Sequence, residues 1–126
     1  EIETGNYSSQ CECIIFPENH NDNSWTLFIE MKYVTNIDNA FRENNDYPNC
    51  MIEQIIATVN FFREKAIIEK SRKVSAIVSF PTLIQDFSAF FFTGKWDIMQ
   101  ILLDYKIIIR ATNRANIISS KRINLG

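Results

Sequence analysis

The order of strand-like and helix-like segments constrains the fold of this chain more than any other feature. Four runs are rich in β-forming residues: residues 11–16 (CECIIF), 25–33 (WTLFIEMKY), 73–80 (KVSAIVSF) and 105–111 (YKIIIRA). Residues 50–69 instead repeat Ile, Val and Phe with a helical period. With a second helical region after the third run, the order β, β, α, β, α, β predicts an α/β fold, with helices flanking a mixed central sheet.

Local signals predict where the helices begin. Asn49 is the expected N-cap of the long helix, and Glu53 would lie in its first turn, where negative charge is favourable. A second helix is predicted to begin at Thr82 and to run through the phenylalanine-rich stretch, because Gln85 completes the spacing of a capping box. Residues 96–103 are predicted to form a further helical segment.

Composition limits the domain organisation and the classes of function. A chain of 126 residues with 46% apolar residues predicts a single domain over residues 1–126 with one core. The net charge of −2 excludes a basic nucleic-acid coat, so contact with nucleic acid would need a local patch or a bound cation. The three cysteines do not have the spacing of a disulfide framework. Without a long apolar run or a signal peptide, we expect a cytoplasmic protein that does not enter a membrane.

The segment WTLFIEMKY ends with charged residues on one face. Strand alternation places Phe28, Glu30 and Lys32 on the same side. If Phe16 pairs with Thr26 across the predicted hairpin, Glu12 lies opposite Glu30. Carboxylates opposed across a sheet repel each other, so their pairing requires a compensating cation. A slip of one residue in the register would turn Glu12 to the other face.

These three residue types together suit phosphodiester hydrolysis. A Mg²⁺ ion is commonly held by one or two carboxylates together with water and substrate phosphate, which would make Glu12 and Glu30 metal ligands. Lys32 could then hold a water nucleophile and neutralise the charge that develops on phosphorus. The simpler interpretation is a solvent-exposed ion pair at the end of a strand.

The hairpin CECIIF…WTLFIEMKY, followed by a loop and a helix, resembles the core of the PD-(D/E)xK nuclease superfamily, the restriction-endonuclease-like fold. The resemblance covers roughly residues 8–80. It implies that Glu12 takes the position of the first acid, Glu30 the second and Lys32 the lysine of the motif. The first acid of that family is usually Asp, so Glu12 departs from the pattern by one methylene group. Some branches carry a glutamine on the crossover helix, and Gln54 is the candidate here for a catalytic role.

The resemblance also implies a function. We expect a Mg²⁺-dependent nuclease, in which Mn²⁺ can substitute, that cuts DNA in preference to RNA and serves restriction, repair or phage defence. A further helix precedes the first strand in that family. Glu1 or Glu3 could be a remnant of it, so the domain could lack this N-terminal helix.

Two further interpretations stay open at this stage. A non-catalytic domain of the same fold, acting as an interaction or assembly module, is supported by the acidic balance and by the phenylalanine-rich stretch. Those phenylalanines are either core residues or the surface of a homodimer or of a missing partner domain.

The basic residues near the end of the chain could contact phosphates near the site, or could form an ordinary charged end; they are Arg110, Arg114, Lys121 and Arg122.

Overall fold

A computed structural model describes residues 11–18, 24–36, 47–92 and 94–126 of the chain. Within these residues, four strands form one mixed sheet, and two further strands form a separate hairpin. The predicted α/β class with a mixed sheet is therefore confirmed. The expected remnant of an N-terminal helix, Glu1 or Glu3, lies outside the described residues. The strands are β1 (Cys13–Ile15), β2 (Leu27–Met31), β3 (Val74–Ser79), β4 (Ile107–Ala111), β5 (Ala115–Ser119) and β6 (Arg122–Leu125). The mixed sheet has the order β1–β2–β3–β4, and β5 pairs with β6.

The register of the first hairpin agrees with the sequence prediction. β1 is antiparallel to β2, with Cys13 opposite Ile29 and Ile15 opposite Leu27. Continuing this pairing by one residue places Glu12 opposite Glu30. The ladder itself ends at Cys13, so Glu12 lies in a bend just before β1. The remaining pairs of the sheet, β2 with β3 and β3 with β4, are parallel.

The first helix, α1 (Tyr47–Glu64), connects β2 to β3. It begins earlier than predicted, because Pro48 lies in its first turn, where the missing N–H costs nothing. The predictions that Asn49 caps the helix and that Glu53 lies in its first turn are therefore wrong. The helix ends at Glu64 rather than at residue 69, and Ala66 adopts a left-handed φ of 59° just beyond it.

The helix predicted from Thr82 to Phe92 is wrong. This segment contains turns and a single 3₁₀ turn, Ser88–Phe90. The hydroxyl of Thr82 donates to the carbonyl of Val34 instead of capping a helix. Two phenylalanines of the segment nevertheless enter the core, since the rings of Phe87 and Phe91 contact the buried ring of Phe80, whereas Phe90 is 42% exposed.

The second helix, α2 (Ile98–Tyr105), precedes β4 and corresponds to the segment predicted at residues 96–103. Asp97 caps it, because a carboxylate oxygen accepts a hydrogen bond from the backbone N–H of Gln100 at 3.0 Å. The helix ends where Lys106 adopts a left-handed conformation with φ of 56°.

The core lies on one face of the sheet. Phe28 on β2, Ala76 on β3 and Ile109 on β4 share that face and are completely buried. Burial of a side chain the size of Phe28 contributes about 1.5–3 kcal/mol. Both helices contribute to the same cluster, through Met51, Ile52, Ile55, Ile56, Val59 and Ile101.

The β5–β6 hairpin was not predicted, because the residues after Asn113 were interpreted as a tail. The indole N–H of Trp25, just before β2, donates to the carbonyl of Ser119 at 2.8 Å and links the hairpin to the central sheet. Neither helix in the described residues has the length and apolar character needed to span a bilayer.

Candidate functional site

Glu30 is the most unusual charged residue of the sheet. It shares a strand face with Phe28, which belongs to the core, and only 1% of its surface is exposed. The alternation of β2 explains this burial, because the position two residues after a core residue faces the same layer. An ionised carboxylate is costly to bury without partners, so its surroundings must compensate the charge.

Three groups from separate segments supply that compensation. The backbone N–H of Glu12 donates to Oε1 of Glu30 at 3.0 Å. The side-chain amide Nε2 of Gln54, on α1, lies 3.4 Å from Oε2 and donates to it. The ammonium of Lys32 lies 3.6 Å from the same oxygen. All four residues assigned to the site from the sequence therefore meet at the end of β2.

The neighbours of Glu30 compensate the charge of its carboxylate only in part. Burial raises the pKa of its carboxyl group above the usual value, and the nearby charge of Glu12 raises it further. Lys32 and the N–H of Glu12 act in the opposite direction without cancelling the effect of burial on the pKa. A further positive charge at this place would therefore stabilise the ionised form.

Glu12 and Glu30 differ in their surroundings. The side chain of Glu12 is exposed, while its backbone N–H contacts the buried carboxylate of Glu30. The charge of Glu12 is close enough to act on the pKa of Glu30. One carboxylate is thus held by the fold, and the other is free to adapt to a ligand.

Sequence analysis missed a connection that fixes the start of β1 against α1. The hydroxyl of Thr58 accepts a hydrogen bond from the backbone N–H of Cys11 at 2.7 Å and donates to the carbonyl of Gln54 at 2.8 Å. The spacing of four residues between Gln54 and Thr58 is the usual one for such a bond within a helix. This connection positions both Glu12 and Gln54 relative to Glu30.

Lys32 is positioned by its backbone and by an aromatic ring. Its N–H continues the parallel pairing beyond β2 by donating to the carbonyl of Ser79 at 3.1 Å. Its ammonium lies 5.9 Å from the ring centre of Tyr47, within the range of a cation–π contact. No sequence signal indicated Tyr47, because the start of α1 was placed after it.

The residues present are compatible with a hard divalent cation, although they do not enclose one. Within the described ranges, no group of three or more His, Cys, Asp or Glu side chains is arranged to hold a metal ion. The site supplies two carboxylates, so carbonyl oxygens, water and substrate phosphate would have to complete the coordination. Mg²⁺ accepts such a set, whereas zinc prefers nitrogen and sulfur ligands. The raised pKa of Glu30 is the kind of imbalance that a cation would relieve.

The basic residues near the end of the chain do not gather at Glu30. Arg110 and Arg114 line a cleft beside the end of β4, two strands away from β2 in the sheet. Two strand spacings correspond to roughly 10 Å. Lys121 and Arg122 line a different cleft, beside the beginnings of the strands. Of the two interpretations left open for these residues, a contact with phosphates near Glu30 is not supported for Lys121 and Arg122.

Comparison with known proteins does not assign the chain to a family. No family model, no curated protein and no solved structure matches it. The functional argument therefore depends on the geometry around Glu30.

Proposed function

We propose that this protein is a metal-dependent nuclease of the restriction-endonuclease-like fold that hydrolyses DNA phosphodiester bonds. The observation that carries the proposal is the buried carboxylate of Glu30, with the ammonium of Lys32 at 3.6 Å and the amide of Gln54 at 3.4 Å. The order β1, β2, α1, β3 and the pairing of the first hairpin also support it. A purely structural ion pair would not need a second carboxylate, that of Glu12, close by.

Glu30 and Glu12 would hold a Mg²⁺ ion, with Mn²⁺ as a substitute. The ion would act as a Lewis acid, which would polarise the scissile phosphate and lower the pKa of a bound water. Glu30 provides a fixed ligand because three groups orient its carboxylate. The exposed side chain of Glu12 provides an adjustable one, and its extra methylene compared with Asp is compatible with this role.

Lys32 and Gln54 would act on the attacking water and on the charge that develops. Lys32 is about one-third exposed, so its ammonium can reach both Glu30 and a substrate phosphate. The oxygen of the water would form a bond to phosphorus while one of its protons passes to solvent. The bond from phosphorus to the leaving sugar oxygen would break, and that oxygen would take up a proton from solvent. The ammonium of Lys32 stabilises the added negative charge on the phosphoryl oxygens. The amide of Gln54 orients the carboxylate of Glu30 and can also hold the water.

DNA is the proposed substrate in preference to RNA, and restriction, repair and phage defence are the roles in which such an enzyme would serve. The proposed compartment is the cytoplasm. Cys11, Cys13 and Cys50 are free thiols, which is consistent with a reducing compartment.

Cleavage assays test the proposal. Supercoiled plasmid, linear DNA and RNA are incubated with the full chain in Mg²⁺, Mn²⁺ or EDTA. We expect metal-dependent cutting of DNA that falls at least about 100-fold in Glu30→Ala and in Lys32→Ala, since each removes a group that acts in the transition state.

A second ion pair of the chain provides a matched control. Lys95 and Glu53 are 2.7 Å apart but exposed, so Glu53→Ala and Lys95→Ala change the same charges away from the site. These variants should cut like the wild type. Cutting that survives in Glu30→Ala and Lys32→Ala would identify a contaminating nuclease, and an absence of metal-dependent cutting would contradict the proposal.

A second candidate function is a non-catalytic interaction module. It is favoured by apolar side chains beside the sheet face that α1 does not cover: Ile15 is 40% exposed, Tyr33 71% and Ile117 64%. These residues line one groove between β1, β2 and the β5–β6 hairpin. Light scattering distinguishes this candidate. A stable dimer that Ile117→Glu dissociates, in a protein without metal-dependent cutting, would support it.

A further inference from the structure

A second charged region lies at the opposite end of the parallel strands from Glu30. It is a cleft of about 450 Å³ where the residues before β2 and β3 meet the turn and the first residues of β6. Among the described residues that line it, none is acidic and four are cationic: Arg72, Lys73, Lys121 and Arg122. We refer to these residues, together with Trp25, as the basic cleft.

Three cations of the basic cleft, Lys73, Lys121 and Arg122, have no ion-pair partner among the described residues. The ion pairs of Lys32 with Glu30 and of Lys95 with Glu53 lie outside the basic cleft, and neither involves Lys73, Lys121 or Arg122. The chain as a whole carries a net charge of −2, so this concentration of cations is local. Grouped cations without carboxylates attract a polyanion and gain free energy by releasing its counterions.

Two hydrogen bonds hold the walls of the basic cleft together. The guanidinium of Arg72 donates to the carbonyl of Ser24, joining the segments before β3 and β2. The indole N–H of Trp25 donates to the carbonyl of Ser119 at 2.8 Å, joining the hairpin to the segment before β2. Because Arg72 and Trp25 are fixed in this way, a ligand would not have to pay for ordering the cleft.

The composition of the basic cleft favours phosphate groups next to an aromatic surface. Lysine and arginine together suit phosphate oxygens, and the half-buried Trp25 is among the lining residues. Cationic grooves with an aromatic platform are typical of single-stranded nucleic-acid binding, in which bases stack on the ring and lysines follow the backbone.

We propose that the basic cleft binds the phosphate groups of a single nucleic-acid strand, with Trp25 as a stacking surface. The site is separate from the nuclease site. Thr26 lines the cleft and lies four residues before Glu30 on the same strand, a distance of roughly 13 Å. The proposal does not rest on the chemistry of Glu30, so it stands or falls independently of the nuclease.

Fluorescence anisotropy with the full chain tests this proposal. A fluorescein-labelled single-stranded decanucleotide is titrated in EDTA, which prevents cleavage, at several salt concentrations. The double variant Lys73→Gln/Arg122→Gln should bind at least about tenfold more weakly than the wild type. Its salt dependence should fall by about 1.4 in the slope of log K against log salt, from two lost phosphate contacts.

A double variant with the same change of net charge controls for the mean electrostatic attraction. Lys65→Gln/Arg114→Gln removes two exposed cations outside the basic cleft and should bind within about threefold of the wild type. Circular dichroism and urea midpoints verify that each variant is folded. Equal losses in both double variants, or no binding by the wild type, would overturn the proposal.

Two more measurements define the ligand. Bound oligonucleotide should quench tryptophan emission in the wild type, and much less in Trp25→Phe, in which Trp96 is the remaining tryptophan. Tripolyphosphate should bind at least about tenfold more weakly than the decanucleotide; equal affinity would overturn a strand-binding cleft in favour of a small phosphate site.

Discussion

Two buried charges, Glu30 and Arg63, are compensated in different ways. Arg63 is 8% exposed, and its guanidinium donates to the carbonyls of Tyr105, Arg72 and Lys106. Two of these carbonyls lie at the end of α2, where the helix dipole favours a positive charge. Arg63 thus joins α1, α2 and the segment before β3 in one contact.

Burial disfavours both charges, since it lowers the pKa of Arg63 and raises that of Glu30, and Nε of Arg63 has no hydrogen-bond partner among the described residues. Glu30 differs in the charges that surround it. Its donors are a backbone N–H, an amide at 3.4 Å and an ammonium at 3.6 Å, and another carboxylate lies nearby. The partners of Arg63 are all neutral carbonyls that stabilise its charge, whereas Glu12 adds repulsion at Glu30. The comparison indicates that Arg63 maintains the fold, while Glu30 is placed where a ligand can complete its surroundings.

The largest expected effect is the loss of Arg63. Arg63→Met retains much of the side-chain volume but removes the guanidinium that donates to the carbonyls of Tyr105 and Arg72, so we expect the free energy of unfolding to fall by about 2–4 kcal/mol. Urea denaturation measures this loss. Arg63→Lys, which restores a charge and fewer donors, should lose less. Arg114→Met changes an exposed arginine and should stay within about 0.5 kcal/mol of the wild type. An equally small change in Arg63→Met would show that the buried contacts do not stabilise the fold.

Removal of the Thr58 hydroxyl should have a smaller effect. Thr58→Val leaves the N–H of Cys11 without its acceptor and should cost about 1–2 kcal/mol. It should also slow DNA cutting, because the connection positions Glu12 and Gln54. Thr58→Ser keeps the hydroxyl and should restore most of both stability and rate. A rate in Thr58→Val equal to that of the wild type would separate this connection from the site.

The pH dependence of stability distinguishes Glu30 by its sign. Because the pKa of Glu30 is raised in the folded state, the folded protein binds more protons than the unfolded chain between the ordinary value of 4.5 and the raised one. The contribution of Glu30 to stability therefore falls as pH rises through that interval. Relative to the wild type in EDTA, Glu30→Gln should gain stability with rising pH and then level off. A constant difference between Glu30→Gln and the wild type across this interval would contradict the raised pKa.

The smallest effect concerns the thiols near the site. Burial raises the pKa of Cys11 to about 11, and the charge of Glu30 contributes to this shift. At pH 8 only about a thousandth of such a thiol is ionised, so iodoacetamide should label the exposed Cys50 at least about tenfold faster. Peptide mass spectrometry follows both rates. Glu30→Gln should modestly accelerate labelling of Cys11, and no acceleration would show that Cys11 does not sense that carboxylate.

The elements that local periodicity defines could be predicted from the sequence. The strands of the central sheet and the pairing of β1 with β2 follow from alternation and from the polar turn between them. The predicted pairing already places Glu12 opposite Glu30. Gln54 was proposed from the family resemblance, and its position outside the apolar stripe of α1 agreed with that proposal.

Long-range contacts determine what could not be predicted. Thr82 has the spacing of a capping box, yet a carbonyl from a distant segment, that of Val34, takes its hydroxyl. Pro48 looked like the end of a loop but lies within the first turn of α1. Arg63 gave no local signal, because its partners are carbonyls brought near only by the fold. The roles of the residues around Glu30 follow from their chemistry rather than from any pattern and stay predictions.

Anomalous diffraction from crystals soaked in Mn²⁺ tests the central claim most directly. The account predicts a single strong peak bound by carboxylate oxygens of Glu30 and Glu12, and no peak at that position in crystals of Glu30→Gln treated in the same way. The exposed pair of Lys95 and Glu53 should remain without metal in both crystals. Crystals without a peak at Glu30, or with Mn²⁺ bound only elsewhere, would contradict the account.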